Sequence, residues 1–467
     1  MYFNDGEGRV TERNSLKVKS SAAQAHHTTS PMNTNSHRKY SSISLALKKF
    51  LLQSKISGIS VKTEYVGLYE ATDRILADGI RSPLDIPPFQ RSTVDGFGIL
   101  SNDTKEATKD DFAKLKVIGE ITAGNTSRTR VSPGQAVAIA TGAKIPRGAD
   151  AVIMVEDVII EDKGQKICIP YKQRKGSNIT PRGNDLRKGQ ILLKKGTWLT
   201  AAEIGLIASV GIPKIPVYKK VKVAVLSTGS ELAEPGSVLE NASIFDSNRF
   251  MISSMIRKHG GEPIDLGICR DERSLIRKKI IDALKFDVIV ISGGSSVGEK
   301  DFVPSLINEI GKPGIIVNGV AMKPGSPTSL GVANGKPVFV LPGYPVSAFV
   351  AFYTFGLPLL YEILKTKGPP VAKQVAKLTC NVKLHKGMTT YLRVRMLKRH
   401  GCFFAKPISA ADASLLSTLA YSDGLVIVKN NKNNENKGRS SGDGDMLHKG
   451  QDVKVILLKD VYQKQEA

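Results

Sequence analysis

Residues 287–301 read D-V-I-V-I-S-G-G-S-S-V-G-E-K-D. Val288 to Ile291 is a short β-branched run cut off by glycine, which reads as a strand buried on both faces. Ser292-Gly293-Gly294-Ser295-Ser296 ends that strand, because glycine admits positive φ and close backbone approach. Val303 to Ile310 then reads as a helix, so the loop lies between a strand end and a helix start. In open α/β sheets anions bind there, where free amides and the helix dipole point at one spot. Asp301 closes the loop, as a helix cap or a metal ligand. Taken alone, the same residues also describe a plain βα turn.

The flanking sequence repeats the pattern. Val221 to Leu226 is a buried strand ending in Ser227-Thr228-Gly229-Ser230-Glu231. Ile264 to Ile268 is another, followed by Cys269-Arg270-Asp271-Glu272. Helical stretches, through Ile256 and over Leu275 to Leu284, separate them. This β-α-β-α order predicts a parallel sheet whose polar loops converge on one crevice at the carboxyl edge. Lys323, in V-A-M-K-P-G-S-P, offers a positive charge to a phosphate or oxyanion. A strand over Val338 to Leu341 leads into P-G-Y-P-V-S, and Ser347 starts an apolar stretch to Leu364. That stretch has the length of a membrane span but carries Gly356, Pro358 and Glu362. The expectation is a buried helix broken near Pro358.

Upstream, residues 1–41 are polar and predict a disordered tail. His26 and His27 fall in it and read as solvated. A helix begins at Ser42, with Leu45, Leu47, Phe50, Leu51 and Leu52 as its apolar face, and Val66 to Leu76 gives a second helical signal. Ser82 to Phe89 is an extended proline-rich link that delivers T-V-D-G-F-G, where Asp95-Gly96 reads as a turn pair. Residues of about 100–185 alternate as short strands and predict an all-β module. In the Gly-framed loop 176–189, Arg182 and Asp185 could bind a polar ligand or pair with each other. Thr200 and Glu203 form a capping box on the next helix. After Pro369 the pattern is again short strands, interrupted by a polar low-complexity loop at 430–444. The predicted fold is therefore a multidomain α/β protein: an N-terminal region of two subdomains (42–218), a parallel α/β domain (219–368) and a small C-terminal β domain (369–467).

The chain has 467 residues, 41% of them apolar, enough for several cores. Its four cysteines are widely spaced with no C-x-x-C pair, which predicts reduced thiols rather than a disulfide or zinc framework. Sixty-seven Lys and Arg against 43 Asp and Glu give a net charge of +24. Such a surplus favours anionic partners, but it is dispersed and lacks any nucleic-acid-binding motif, so it reads as a solubility or salt-habitat feature, with neither nucleic acid nor membrane expected as partner. The N-terminus has no apolar signal core, and a cytoplasmic location is expected.

In order, T-V-D-G-F-G, I-T-A-G, A-T-G-A-K-I-P-R-G-A-D-A-V, G-S-N-I-T-P-R-G-N-D, T-A-A-E, V-L-S-T-G-S-E-L, D-S-N-R, S-G-G-S-S-V-G-E-K-D, M-K-P-G-S-P and L-P-G-Y-P-V-S resemble the MoeA family of molybdopterin molybdenumtransferases and the related catalytic end domain of gephyrin. The resemblance runs from about Ser42 to the end. It implies an elongated homodimer of four-subdomain chains, one subdomain sharing the fold of the enzyme that adenylylates molybdopterin. The implied active site lies between that subdomain and the N-terminal region of the partner. The implied reaction inserts molybdate into adenylylated molybdopterin and releases AMP, with a divalent cation, here Mg²⁺. By motif position, Asp95, Thr141, Glu203, Asp271, Asp301 and Lys323 fall on catalytic positions. Asp271 and Asp301 are the expected metal ligands. Substrate contacts are expected from Arg182, Asp185, Thr228, Gly229, Glu231, Gly293, Gly294, Ser296, Gly298, Pro324, Gly325, Pro342, Gly343 and Ser347. The adenylyltransferase is a further implied partner.

Three positions depart from the family pattern: Ser230 and Ser326 stand where Asp and Lys are usual, and Tyr344 where Asn is. Two alternatives accompany the transferase reading, a non-enzymatic pterin-binding scaffold and a tungstate-inserting homologue. A nucleotide hydrolase on the same α/β domain leaves the N-terminal match unexplained.

Overall fold

The computed structural model describes residues 40–54, 61–125, 128–240, 242–293, 302–408, 413–429 and 446–459. The expectations for the 1–39 tail, Gly294, Ser296, Gly298, Asp301 and loop 430–444 lie outside the described residues.

Helix α1 (Ile43–Gln53) is capped by the Ser42 hydroxyl, which accepts from Leu45 N at 3.4 Å. Its buried residues are Ala46 and Phe50, whereas Leu45 and Leu52 are 46% and 68% exposed. The apolar face is thus narrower than expected, because the apolar residues of one run cannot all fall in a single stripe at 3.6 residues per turn. The second helical signal is also corrected. Strand β1 (Thr63–Gly67) pairs antiparallel with Lys214–Tyr218, and only a single 3₁₀ turn, Leu68–Glu70, follows. A distant partner strand overrides local helical periodicity at Val66 and Gly67, where the expected helix begins.

The all-β module comprises β2 (Gly96–Ile99), β3 (Ala113–Ile121), β4 (Gln135–Ile139), β5 (Ala151–Met154), β6 (Ile159–Glu161) and β7 (Lys166–Ile169), in the order β5-β2-β4-β3-β7-β6. Gly96 is no turn residue. It opens β2, and a Cβ there would meet Ile153 O at 1.8 Å, so glycine is required by the close approach of β5. The chain enters and leaves the module through a ladder of paired segments: Ile80–Arg81 with Ile191–Leu193, Ile86 with Leu186, and Arg91–Ser92 with Ile179–Thr180. Helix α2 (Ala201–Ser209) and β8 (Lys214–Tyr218) return to β1 and share its core, which includes Leu76, Leu199, Ile207 and Val217.

The α/β domain runs β9 (Val221–Thr228), α3 (Asn248–Lys258), β10 (Gly261–Cys269), α4 (Arg273–Ala283), β11 (Val288–Ser292), α5 (Val303–Ile310), β12 (Gly314–Asn318), β13 (Met322–Lys323), β14 (Ser329–Ala333), β15 (Lys336–Leu341), α6 (Pro345–Ala351) and α7 (Leu357–Ile363). The sheet order is β10-β9-β11-β15-β14-β12. β10, β9, β11 and β15 are mutually parallel, but β14 and β12 join antiparallel. The parallel sheet expected from the β-α-β-α order is present, and the antiparallel strands β14 and β12 extend it into a mixed sheet. Asn334-Gly335 makes the difference: both have positive φ, 46° and 76°, and turn β14 into β15 as a two-residue hairpin. Every residue of β11 is buried. Val223, Val225, Val288 and Val290 pack on the α3 and α6 face, and Ala224, Leu226, Ile289 and Ile291 on the α4 and α5 face.

The segment Pro345–Ile363 is long and apolar enough to cross a membrane, yet 67% of it is buried in the fold. It does not break at Pro358. Phe352–Gly356 forms a π-turn between α6 and α7, which accommodates the proline's missing N–H without interrupting the helical path. The C-terminal domain is a closed five-stranded barrel of β16 (Lys373–Leu378), β17 (Thr389–Arg399), β18 (Cys402–Pro407), β19 (Gly424–Lys429) and β20 (Asp452–Leu457). β17 pairs with both β18 and β19, and β16 and β20 complete the ring. β13 leaves the α/β domain to pair with β17, setting Lys323 beside Thr390.

α3 ends at His259, whose Nδ1 hydrogen-bonds to the Tyr361 hydroxyl. Nearby, a Cβ at Gly260 would touch Ile75 and Leu364, and Thr366 Oγ1 donates to Gly196 O at 3.0 Å. These contacts tie the N-terminal region to the α/β domain. Burial pushes the His259 imidazole down to about 4, with the Lys258 charge adding to the effect.

Two predictions follow from this packing. Gly96→Ala should lower stability by about 3 kcal/mol in urea unfolding. Gly119→Ala, where a Cβ would meet nothing within 4 Å, should change it by no more than about 0.5 kcal/mol. His259, neutral in the fold, takes up a proton more readily when unfolded. Its contribution is therefore complete above about pH 6.5 and is lost as pH falls towards 4. Between pH 7.5 and 5.0, wild type should lose about 2 kcal/mol more than His259→Gln; equal losses would count against the assignment.

Candidate functional site

The register of β9 aligns the strand ends. Thr228 pairs with Cys269 of β10, Ser227 with Ser292 of β11, and Ser292 with Leu341 of β15. Four polar turns thus leave the sheet side by side, at the place where open α/β sheets receive ligands. Gly293 N donates to Leu341 O at 3.1 Å, and Gly229 N to Cys269 O at 3.1 Å. Gly293 has φ +100°, and a Cβ on it would meet Thr228 O at 2.2 Å, so only glycine lets these two turns touch.

Thr228, Gly229, Glu231, Asp271, Gly293, Pro342, Gly343 and Ser347 all lie along this edge. Asp271 and Ser230 form a reciprocal clamp. Ser230 N donates to Asp271 Oδ2, and Asp271 N donates to Ser230 Oγ, both at 3.2 Å. The serine at 230 thus holds the Asp271 backbone while presenting no second charge to its carboxylate. The Glu231 carboxylate lies on the same turn, 2.7 Å from where a Gly229 Cβ would be. Burial raises the pKa of the neighbouring Cys269 thiol and keeps it protonated. Lys323 is exposed, on the strand that crosses to the barrel. Pro324 and Gly325 are buried behind it, and a Cβ on Gly325 would come 3.4 Å from Ser347 O, so this segment rests on the start of α6.

The remaining candidates form separate groups. Asp95 Oδ1 accepts from Thr141 N at 2.7 Å, and both residues are exposed on the β module. Arg182 does not pair with Asp185. Its Nε donates to Asp85 Oδ2 at 2.6 Å, while Asp185 is held through its backbone N to Ile86 O at 2.9 Å. Asp85 in the proline-rich link also accepts from Lys188 N, and this bond, with the Arg182 contact, lowers its pKa. Glu203 is the cap that its sequence indicated: it accepts from Thr200 N at 2.9 Å and from the Thr200 hydroxyl. These bonds, the hydroxyl's first, hold its pKa below the usual carboxylate range. Among the described residues no hydrogen bond or ion pair links Asp95, Thr141, Arg182, Asp185 or Glu203 to the α/β edge.

Asn248, Ser227 and Arg249 are not among the residues that the sequence motifs single out as the site. Asn248, at the start of α3, donates from Nδ2 to Ser292 Oγ at 2.8 Å and to Gly343 O at 2.7 Å. It thereby ties the end of β11 to the P-G-Y-P turn. The Ser227 and Thr228 hydroxyls and Asn248 Oδ1 are buried without hydrogen-bond partners. Buried polar atoms are normally paired, so their concentration at one sheet edge marks a place prepared for a ligand. The available signal was the polar ending of otherwise apolar strands, V-A-V-L-S-T and V-I-V-I-S. Arg249, 3% exposed, fixes the start of α3. It bonds Asp246 at 3.0 Å and Asp265 at 2.6 Å, and also Glu234.

Among the described residues no group of three or more His, Cys, Asp or Glu side chains forms a metal cluster. Mg²⁺ held against a substrate phosphate needs only one or two protein carboxylates, since water and phosphate complete its octahedron. Asp271, with one oxygen on Ser230 N, suits that more modest role.

Residues 41–211 match the MoeA N-terminal region (domain I and II), residues 224–362 the "Probable molybdopterin binding domain", and residues 375–458 the MoeA C-terminal region (domain IV). The chain is 33% identical over 402 residues to the molybdopterin molybdenumtransferase of Bacillus subtilis, covering 85% of this chain and 90% of that one. The chain belongs to the MoeA family. A second family member, the molybdopterin molybdenumtransferase of Haemophilus influenzae, is 34% identical, covering 81% of this chain and 93% of its own. The MoeA fold extends over the whole match. A molybdopterin biosynthesis MoeA crystal structure from Pyrococcus horikoshii superposes with a TM-score of 0.75 at 30% identity, covering 90% of this chain and 100% of that one.

Thr200→Ala removes a hydroxyl that caps α2 from both directions. It should lower stability by about 1 kcal/mol in thermal or urea unfolding, with Glu203→Gln, which keeps an acceptor for Thr200 N–H, costing less.

Proposed function

We propose that the chain inserts molybdate into adenylylated molybdopterin and releases AMP. Membership of the MoeA family makes it a transferase of molybdenum cofactor biosynthesis. The observation that carries the finer reading is the row of aligned strand ends, where glycine-lined turns and unpartnered hydroxyls meet an acidic turn.

The residues suit the chemistry. The substrate carries a pyrophosphate, and Gly229 and Gly293, having no side chains, let it approach the backbone closely at this edge; Gly294, Ser296 and Gly298 extend that cradle by motif. Asp271, with Asp301 by motif, would hold Mg²⁺, which offsets phosphate charge as the AMP leaves. Thr228, Glu231, Pro342, Gly343 and Ser347 line the bound substrate. Lys323, on a backbone shaped by Pro324 and Gly325, supplies positive charge to the incoming oxyanion. Molybdate can be ligated by the dithiolene sulfurs directly, so no side-chain nucleophile is required. The protein's part is positioning and electrostatic stabilisation.

Among the described residues, no hydrogen bond or ion pair joins the Asp95–Thr141 pair, Glu203, Arg182 or Asp185 to this edge within one chain. We therefore take the active unit to be a homodimer in which the partner's N-terminal region completes the site. The reading further places the enzyme in the cytoplasm, receiving its substrate from an adenylyltransferase, with neither nucleic acid nor membrane as partner.

Incubation of the purified protein with adenylylated molybdopterin, Mg²⁺ and molybdate should release AMP stoichiometrically with metal insertion. Binding without AMP release, beside a competent control enzyme, would replace the proposal with a pterin-binding scaffold; the same assay with tungstate sets the oxyanion preference. Asp301→Asn should cut turnover about 10²-fold or more while leaving the unfolding midpoint unchanged. Near-normal turnover would remove Asp301 from the site.

A further inference from the structure

The polar atoms at the carboxyl edge divide between the two faces of the sheet. Side chains alternate along a strand, and parallel partners share a face. Val223 and Val225 pack on the α3 face, so Ser227 two residues on lies there too; Val288 and Val290 place Ser292 on the same side. Thr228 points to the opposite face, with Ala224 and Leu226. Ser227, Ser292 and Asn248 therefore form one polar group beneath the start of α3, separate from the Asp271 turn.

The chemistry of that group is well defined. Gly343 O can only accept, so the Asn248 atom facing it at 2.7 Å must be the amino nitrogen. Both hydrogens of that nitrogen are used, one on Gly343 O and one on Ser292 Oγ. The other end of the amide, Oδ1, is a pure acceptor with no partner, and Ser227 Oγ beside the Ser292 pair also has none. Asn248 and Ser227 are 7% and 1% exposed. Gly343 is exposed, so the group lies just beneath the surface turn that closes the crevice. An acceptor and a hydroxyl, buried and unsatisfied, call for a ligand that brings an N–H donor to Asn248 Oδ1 and a second polar group to the hydroxyl, which can accept or donate.

We propose that Asn248 Oδ1 and Ser227 Oγ receive the pyrimidine edge of the pterin, its ring N–H and its 2-amino group, while Asn248 Nδ2 holds the crevice wall in place. This rests on the molybdopterin reading above and specifies which part of that substrate enters which face. A pterin presents two donors side by side, and adenine's amino group and ring nitrogen would also fit, the hydroxyl then donating. The Asp271 turn, suited to Mg²⁺ and phosphate, takes the pyrophosphate and adenylate, which leaves the α3 face to the pterin, and the AMP titration tests this division. Asn248 is both a binding residue, through Oδ1, and a positioning residue, through Nδ2.

Full-length wild type, Ser227→Ala and Asn248→Ala are titrated with pterin-6-carboxylate, followed by its fluorescence, and with AMP, followed by calorimetry. Each substitution should raise the pterin dissociation constant about tenfold, the loss of one hydrogen bond, and leave AMP affinity within twofold. The KM for adenylylated molybdopterin should rise by a similar factor, with a smaller fall in kcat. Asn248→Ala also breaks the clamp and can unfold the turn, so Ser227→Ala decides the matter. If Ser227 had only a structural role, replacing an unpartnered hydroxyl with hydrogen would leave pterin binding unchanged and stability equal or higher. Wild-type pterin affinity in Ser227→Ala, a loss confined to AMP, or no saturable pterin binding by wild type would each overturn the inference. Absence of AMP release by wild type would instead remove the transferase reading, which the pterin titration does not depend on.

Discussion

The register of β9 is the constraint on which the site depends. Because β9 pairs in parallel with β10 on one side and β11 on the other, Thr228, Cys269, Ser292 and Leu341 finish in one row. A parallel pairing slipped by one residue would exchange the two faces of a strand. Ser227 would then turn from the α3 side, and its apolar neighbours would lose both cores at once. The two buried valine and isoleucine layers therefore fix the position of the polar strand ends. Specificity for a polar ligand here is a by-product of hydrophobic register, with glycine permitting the final close approach.

The fold was legible where the hydrophobic pattern is strong. β11 and α5 fall where V-I-V-I and V-P-S-L-I-N-E-I place them, because continuous burial leaves one interpretation of such runs. The capping box at Thr200 and Glu203 was equally readable, since its partners are three residues apart. What failed depended on distant partners. Val66 and Gly67, where the second helix was expected to begin, are strand because Ile215 and Lys214 lie beside them, and nothing local reports that. The antiparallel edge of the sheet was signalled by Asn334-Gly335, a turn signature that the dominant β-α-β pattern obscured.

The site divides in the same way. Motif order located the strand-end turns, and Gly229, Asp271 and Gly293 are grouped as the alternating strands and helices require. Of the two readings open for Arg182 and Asp185, pairing with each other does not occur, because the partner of Arg182 is Asp85, far away in sequence. Asn248 was passed over because its role is relational: it joins residues from two other segments, and no window of sequence contains all three. Glu203 shows the converse, a residue whose hydrogen bonds are complete within one helix turn.

The ladder through which the chain enters and leaves the β module has an evolutionary consequence. Outgoing and returning strands stay paired at Ile80–Arg81 with Ile191–Leu193 and again at Arg91–Ser92 with Ile179–Thr180. The host core around Leu76, Leu199 and Val217 is built from sequence on both sides of the module and none within it. The module is thus an insertion on a two-stranded stem, free to drift, lengthen or be exchanged between homologues while its host packs unchanged. A surface carried on such a graft can change without renegotiating the cores beneath it.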